Sequence, residues 1–546
     1  QGGQPGDWNL SNLIVGAEGT LGVLLEAKLR LVPSPKATAL CIVHFDDLLA
    51  ALRAVPEMLE LGPSAVELLD EVVLEAARTN RATAEMADFL IGSPKAVQIV
   101  EVFGESETDA ADRIHAVARE LERRGIGSHW PIRTDAAGIR RVWEVRKLGL
   151  GLISNLEGKR KGIAVVEDAC VPVAVLADYI AQVLAICRRL EIPVSMYAHA
   201  SVGVLHVRPL LDLHDPADVR LMKQLSDECF DLVVSYGGSW SSEHGDGMLR
   251  GEYVPRFFGP TLYQAFREVK RLFDPAGVMN PGKIVDAPPM TSNLRYGPEY
   301  RPSERSSRFH YRDQDGVVGA VEQCNGVGAC RKIGTGTMCP SYMATRDEEH
   351  STRGRANALR MAMSGQLGPN AITSDRMLEV LELCLACKAC KSECPNAVDM
   401  SRLKADVLQW RYHERGTPWG AWFLAGMPDA LKRAAGPWSG IVNWAQRRGV
   451  FRRGLEWLTG IDHRRPLPPV ARRTLSTWFA DRNAKARKPT AWAAPSRQRV
   501  AVLCDTFTNY LEPEVGIAAI ELLEGCGFEV LLAEVGCCQR PAISKG

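Results

Sequence analysis

Cys384, Cys387, Cys390 and Cys394 follow one another at x2, x2 and x3 spacing, and Pro395 follows the last of them. The two x2 spacings wrap a short loop around a cube, so three thiolates reach three corners of one iron–sulfur cluster. The fourth cysteine, turned away by its proline, serves a second cluster. A zinc knuckle would use two separated CxxC pairs, not four cysteines within eleven residues. A second set is present as Cys324-x5-Cys330-x8-Cys339-Pro340, and Cys339-Pro340 mirrors Cys394-Pro395. Cross-ligation then gives Cys384, Cys387, Cys390 and Cys339 to one 4Fe-4S cluster. Cys324, Cys330 and Cys394 are left for another, one thiolate short. That second site is a three-iron cluster, a cluster with a non-cysteine ligand, or an unfilled one. Cys504 and the adjacent pair Cys537–Cys538, with Cys526 between, form a last group.

His199 and His206 bracket a turn containing Gly203, between two apolar segments, PVSMYAHA and VLHVRP. A hairpin there lets the two imidazoles meet across the strands. Ser242-Glu243-His244-Gly245-Asp246-Gly247 adds a carboxylate and a third imidazole in a glycine-rich stretch. Two histidines and a glutamate form a metal-ligand set that leaves a position open for substrate. A metal in such a set lowers the pKa of a bound hydroxyl, and a histidine beside it accepts the proton.

Gly16-Ala17-Glu18-Gly19-Thr20-Leu21-Gly22 resembles the end of the FAD-binding domain of vanillyl-alcohol-oxidase-type flavoproteins. The resemblance implies that Gly16, Glu18, Gly19, Thr20 and Gly22 lie against FAD. Residues 36–285 resemble the FAD-linked oxidase C-terminal domain of D-lactate and D-2-hydroxyglutarate dehydrogenases. The motifs are Trp143-x-x-Arg146, the histidine pair, Glu243-His244-Gly245 and Phe273-Asp274-Pro275-x-Gly277-x-x-Asn280-Pro281-Gly282-Lys283. By resemblance, His199, His206 and Glu243 hold a divalent metal, with zinc a candidate, and His244 is the base. Arg146 and Lys161 grip the substrate carboxylate, and Asn280 is counted with the cofactor residues. The family reads H-x-G-D-G-N-x-H between the histidines. Here the Asp and Asn are lost, which bears on substrate identity more than on the metal. Cys504 and Cys537–Cys538 resemble the first half of a CCG domain of heterodisulfide reductases and glycolate oxidase iron–sulfur subunits, and are counted as metal ligands.

Arg208 lies two residues after His206 and shares its strand face. A buried cation there without a partner calls for a second substrate carboxylate, which favours D-2-hydroxyglutarate over D-lactate. The alternative partner is a protein acid such as Asp246.

The elements that must position these groups read as an α+β, multidomain chain. The end of a FAD domain covers 1–35, including a strand at Leu13–Val15 and a second in VLLEAKLRLV. An α+β substrate domain covers 36–285, with helices in DLLAALRAVPEMLELG and ESETDAADRIHAVARELERRG and strands in CIVHF, AVQIVEVFG and GIAVVEDACVPV. A polar, Pro-containing linker or wrapping arm covers 286–316. A helical ferredoxin-type domain covers 317–415, a Trp/Arg-rich helical or linker region 416–498, and a βαβ start 499–546. Ser351-Thr352-Arg353-Gly354-Arg355 is a basic helix start, either tuning a cluster or solvated.

The 546 residues carry fifteen cysteines and a net charge of +1, with no strong pull toward nucleic acid or membrane. Cys41, Cys170, Cys187 and Cys229 sit apart in apolar settings and read as buried packing. Clustered cysteines without a secretion signal point to metal in a reducing, cytoplasmic compartment. The opening QGGQPGDWNLSN lacks a starting Met and reads as the middle of a longer gene product. Fourteen Lys/Arg against three Asp/Glu between Arg447 and Arg499, with eight of the twelve tryptophans in 410–492, suit a cover over the cluster domain or a peripheral membrane contact at the inner face. The reading is a flavin-linked D-2-hydroxyacid dehydrogenase, leaning to D-2-hydroxyglutarate, that passes electrons to 4Fe-4S clusters and then to a quinone or electron carrier. D-lactate or glycolate dehydrogenase is the alternative enzyme, and a non-catalytic electron-transfer or scaffold protein the alternative of another class.

Overall fold

The structure is a computed structural model that describes residues 9–79, 83–154, 158–334, 336–485, 498–533 and 536–545. The chain divides into two units. The first comprises Gln1–Pro302, Arg312–Gly319 and Ser392–Ala397; the second comprises Ser303–Tyr311, Ala320–Lys391 and Val398–Gly546.

The first unit is built on one antiparallel sheet. Its strands are β1 (Ala37–Phe45), β2 (Ala65–Asp70), β3 (Ala96–Gly104), β4 (Ile132–Arg133), β5 (Lys161–Gly162), β6 (Val166–Cys170), β7 (Val194–His199) and β8 (Val204–Leu211). They run in the order β4-β1-β3-β2-β7-β8-β5, with β6 also paired to β8. Side chains alternate between the faces, and both faces are covered. Ala39, Cys41, Val43, Val66, Leu68, Met196, Ala198, Leu205 and Val207 point into the larger core, with Ile114, Leu121, Tyr179, Val183, Met222 and Cys229 from the helices Glu107–Arg123, Leu176–Arg189 and Pro216–Ser235. Leu40, Ile42, Leu69, Val97, Ile99 and Tyr197 point into the smaller core, with Val73, Leu74, Val142 and Val145 from Glu71–Thr79 and Ala136–Ser154. The helix over 107–123 forms as its periodicity predicts, with Ser106 accepting from the Asp109 amide as N-cap. The helix expected over DLLAALRAVPEMLELG divides at Ala54 into Leu48–Arg53 and Val55–Leu59, next to Pro56.

Residues 9–35 depart from the sequence reading. Ser11–Ile14 is a helical turn instead of a strand, and residues 22–35 form no strand. Leu25, Leu29 and Leu31 are 93%, 80% and 86% exposed. A strand needs a neighbour to satisfy its backbone N–H and C=O groups, and no described strand lies alongside this segment. Cys41, Cys187 and Cys229 are buried as expected, whereas Cys170 is only partly so.

In the second unit the arm 303–311 is held down on the helix Met400–Arg415. Ser307 and Tyr311 both donate to Asp406 Oδ2, at 2.7 and 2.8 Å, and Trp410 Nε1 donates to the Ser306 carbonyl at 2.7 Å. At the C-terminal end β9 (Arg499–Leu503) and β10 (Glu529–Ala533) pair in parallel across the helix Pro513–Gly525, the βαβ start read from the sequence. Leu475, Cys504, Ile520 and Val530 form its small core. Helices occupy most of 419–459, but Trp419, Trp422, Trp438, Trp444 and Trp457 are 59% to 87% exposed. They do not serve as a cover, because short helices broken by Gly and Pro bury too little area to fold these rings under.

Candidate functional site

At one end of the sheet, the face that carries the smaller core turns polar. Register brings this about. Glu67 on β2 is opposite His199 on β7, Tyr197 is opposite His206 on β8, and Glu167 on β6 is also opposite His206. Residues directly opposite in antiparallel strands share a face, so Glu67, Glu167, Tyr197, His199 and His206, with Arg208 two residues on, form one polar patch. The hairpin turn that sets this register contains Gly203, at φ 72. A Cβ there would stand 2.0 Å from the Val171 carbonyl oxygen, so no other residue fits.

His199, His206 and Glu243 each offer a ligand atom, and these atoms lie within 4.8 Å of one another; the same holds for Glu167, His206 and His244. His199 Nε2 is 3.5 Å from Glu243 Oε2. The rings of His199 and His206 meet edge to face at 5.1 Å, and those of His206 and His244 stack at 5.3 Å. Each histidine of the pair gives its other nitrogen to a carboxylate, His199 Nδ1 to Glu67 at 2.7 Å and His206 Nδ1 to Glu167 at 3.1 Å. An ionised carboxylate only accepts, so each Nδ1 carries the proton and each Nε2 keeps a lone pair for a metal. The hydrogen bond to Glu67 raises the His199 pKa above its ordinary value, burial opposing it. Glu167 Oε2 and Arg208 Nε are buried without a hydrogen-bond partner, polar atoms left over in a site of this donor chemistry.

Asp168 organises the loop that brings Glu243 and His244. A β-bulge between Glu167 and Ala169 turns it off the strand at φ 73. Its carboxylate accepts the backbone N–H groups of Ser242, Glu243 and His244 at 2.8, 2.7 and 3.0 Å, and the Ser242 hydroxyl at 2.7 Å. Burial would push its pKa up, but these donors outweigh it and hold the group below the usual carboxylate range. The loop is fixed from the other side by Glu18. Glu18 Oε1 accepts from the Asp246 amide at 2.6 Å, and Oε2 from the Gly247 amide at 2.9 Å. A Cβ on Gly245 would stand 2.7 Å from Glu18 Oε1. Asn280 Nδ2 donates to the Glu18 carbonyl at 2.7 Å, and Lys270 Nζ to the Thr20 carbonyl at 2.8 Å. The glycine-rich turn and the 273–283 motif therefore lock to the Glu243–His244 loop. Glu18 and Asn280 act here through the chain itself. Gly16 and Gly19 have positive φ and open space where a Cβ would be, and Gly22 is equally open, so the turn can lie flat against a ligand. The Thr20 hydroxyl is buried on the Ala17 carbonyl.

The cations are placed differently from the sequence reading. Arg208 Nη2 donates to Glu167 Oε1 at 2.6 Å and to the Tyr197 hydroxyl at 3.1 Å, so its protein partner is Glu167, not Asp246. Arg208 is not an unpaired charge, and it calls for no second substrate carboxylate. Arg146 Nη2 is 2.9 Å from Glu67 Oε2, and its guanidinium lies over the Tyr197 ring at 4.7 Å. Lys161 is on the edge strand β5, where a Cβ on the next residue, Gly162, would stand 3.4 Å from that of Arg208. Sequence reasoning missed Glu67, Glu167, Asp168 and Tyr197. The signal for two of them was the pair of acids inside VVEDAC, since acids in a buried apolar strand require partners.

In the second unit Cys339, Cys384, Cys387 and Cys390 line one cavity, together with Arg355, Lys388 and Met400. These are the four thiols that cross-ligation assigns to one cluster. Burial pushes the Cys390 thiol up to about 12, so it becomes a thiolate only where a metal replaces its proton. Cys324 and Cys330 are buried, and Cys330 Sγ accepts the Arg353 amide at 3.3 Å. Cys394 belongs to the segment 392–397 of the first unit. Cys504 is buried in its small core, Cys537 is partly exposed and Cys538 exposed. The four thiols of Cys339, Cys384, Cys387 and Cys390 fit one iron–sulfur cluster in chemistry and spacing.

Residues 34–284 match the FAD linked oxidases C-terminal domain, and residues 320–398 the 4Fe-4S dicluster domain. The chain is 30% identical over 96% of its length to a D-2-hydroxyglutarate dehydrogenase of Escherichia coli (strain K12), covering 56% of that protein. Identity is 29% over 100% of the chain to the D-2-hydroxyglutarate dehydrogenase of Pseudomonas putida, covering 58% of it. It is 29% over 51% of the chain to a D-lactate dehydrogenase of Archaeoglobus fulgidus, covering 58% of it. The chain thus spans a little over half the length of these relatives. Among the described residues no helix is long and apolar enough to cross a membrane.

Proposed function

We propose that this chain, which carries a FAD linked oxidase C-terminal domain and a 4Fe-4S dicluster domain, oxidises a D-2-hydroxyacid, D-2-hydroxyglutarate first among candidates, to the 2-oxoacid and passes the electrons to iron–sulfur clusters. The observation that carries this is the convergence of His199, His206 and Glu243, with each histidine backed by its own carboxylate. When bound, a divalent metal held by His199, His206 and Glu243 would supply Lewis acidity for the substrate hydroxyl, FAD would supply a hydride acceptor, and the clusters would supply one-electron acceptors. The protein's part is positional. Glu67 and Glu167 fix the tautomers of His199 and His206, and Asp168 and Glu18 fix the loop that presents His244. His244, stacked on His206, takes the hydroxyl proton. Arg146, together with Lys161, holds a carboxylate in exchange for part of its pairing with Glu67. The leaning to the diacid rests on the relatives named above.

The test is anaerobic turnover of D-2-hydroxyglutarate, D-lactate and glycolate by the full-length gene product loaded with FAD and iron. The highest kcat/KM is expected for D-2-hydroxyglutarate. A preference for D-lactate or glycolate would reassign the substrate, and turnover of none would make the chain an electron-transfer or scaffold protein.

A second reading concerns the surface of the described residues 416–485. Exposed tryptophans interleaved with arginines, Arg448 lying over the Trp444 ring at 4.6 Å, support peripheral contact with an anionic membrane, where a quinone acceptor would be at hand. Co-sedimentation with vesicles is expected to require anionic lipid and to weaken with salt. No binding at low salt would refute it.

A further inference from the structure

Arg355 is the largest fully buried side chain among the described residues, at 0% exposure. It sits in the first turn of the helix Thr352–Met363, which Ser351 caps by accepting the Gly354 amide at 2.9 Å. Its side chain lines the cluster cavity. Nη1 donates to Cys339 Sγ at 3.4 Å, Nη2 to Ser341 Oγ at 3.0 Å, and Nε to the Val380 carbonyl at 2.9 Å. None of these acceptors is a carboxylate. Arg353, two residues earlier, differs: it is partly exposed and paired with Glu348 at 2.7 Å. The expectation of a solvated basic helix start therefore holds at most for Arg353.

Guanidinium stays charged in proteins, and a buried charge without a counter-ion is strongly unfavourable. The compensating charge must come from the cavity that Arg355 lines, where the thiols of Cys339, Cys384, Cys387 and Cys390 are the groups able to become anionic. A cubane held by four thiolates is net anionic, and more so after it takes up an electron. A fixed cation in hydrogen-bond contact with one of the ligand sulfurs stabilises the reduced form more than the oxidised form. Hydrogen bonds to sulfur and local charge are known levers on cluster potential.

We infer that Arg355 is the positioning residue that sets the reduction potential of the cluster held by Cys339, Cys384, Cys387 and Cys390, raising it so that the cluster accepts an electron from reduced flavin. The inference rests on that ligand assignment. The Arg355 fork also ties Cys339 to Ser341 and Val380, holding the one ligand remote in sequence in register with the other three.

The test is a mediated redox titration of the full-length protein with dithionite, following the EPR signal of the reduced cluster, beside iron and sulfide analysis. Arg355→Lys, Arg355→Gln and Arg353→Gln are compared with wild type. Wild type without iron and sulfide would refute the ligand assignment itself. With cluster present, Arg355→Gln is expected to lower the equilibrium constant for cluster reduction at least about tenfold, which is ~59 mV for a one-electron couple. Arg355→Lys should stay close to wild type, and Arg353→Gln should leave this signal unmoved. If Arg355→Gln does not assemble the cluster while Arg355→Lys assembles it at near wild-type potential, the charge is required and the inference stands. An Arg355→Gln potential equal to wild type, equal loss of cluster in both Arg355 variants, or an equal fall in potential in both would overturn it.

Discussion

The Asp168 carboxylate accepts the backbone N–H of His244 at 3.0 Å, from a bulge on the strand next to the one that carries His206. With the Ser242 and Glu243 amides on the same carboxylate, the loop that brings both a candidate metal ligand and the candidate base hangs on one buried anion. Asp168→Asn retains the shape but replaces an acceptor oxygen with a donor facing an N–H group. The expected result is a fall in kcat of about 10²-fold, the scale of a displacement of about 1 Å, with iron content unchanged. The pKa of Asp168 is depressed, so its contribution to stability is present above the ordinary carboxylate pKa and is lost as pH falls through the depressed value. Acid unfolding in the variant should therefore lack that component. Unchanged kcat would show that the loop is held by other contacts.

His199 carries a pKa shift of the opposite sign, and its effect on metal is also lost as pH falls. Its pKa is raised by Glu67, so metal must displace a proton that the ring holds above its ordinary range. Metal retention should be full at alkaline pH and fall on acidification, with a midpoint that the raised His199 pKa moves upward. Glu67→Gln should move that midpoint downward, and metal analysis after dialysis across about pH 5–9 checks it. Coincident midpoints in the two proteins would remove Glu67 from the metal site.

The local elements and the histidine pair were legible in the sequence because they rest on local pattern. The βαβ start, the hairpin around Gly203 and the strands at CIVHF and AVQIVEVFG are written in apolar runs punctuated by turn residues. The His pair was legible for the same reason, since one hairpin fixes its register. Glu67 was not, because the pairing of β2 with β7 joins residues far apart in the chain, and no local signal reports it. Arg208 was misread for the same reason: its partner Glu167 comes from a strand that pairs with β8 at long range. The strand expected in residues 22–35 failed because alternation specifies a strand only when a neighbouring edge is there to bind it.

His244→Ala should retain flavin and iron and lose turnover by about 10²–10⁴-fold, the worth of a positioned base. Single-turnover flavin reduction by D-2-hydroxyglutarate reads this directly. Near wild-type reduction would take His244 out of the reaction.

Arg208→Ala leaves Glu167 buried without its cation. Because Arg208 is engaged by a protein acid, kcat/KM for D-2-hydroxyglutarate and for D-lactate should fall by similar factors, and the melting temperature should fall with them. A loss confined to the diacid would restore Arg208 as the residue that binds a second carboxylate.

Electrons should move from a D-2-hydroxyacid to iron–sulfur clusters within one gene product. The most direct measurement is freeze-quench EPR of the full-length, FAD-loaded protein mixed anaerobically with D-2-hydroxyglutarate, in metal-replete and chelated samples. The predicted result is a reduced 4Fe-4S signal that grows in with substrate and is lost on chelation of the His199–His206–Glu243 site. Clusters that dithionite reduces but that no D-2-hydroxyacid reduces, in protein with bound FAD and metal, would contradict it.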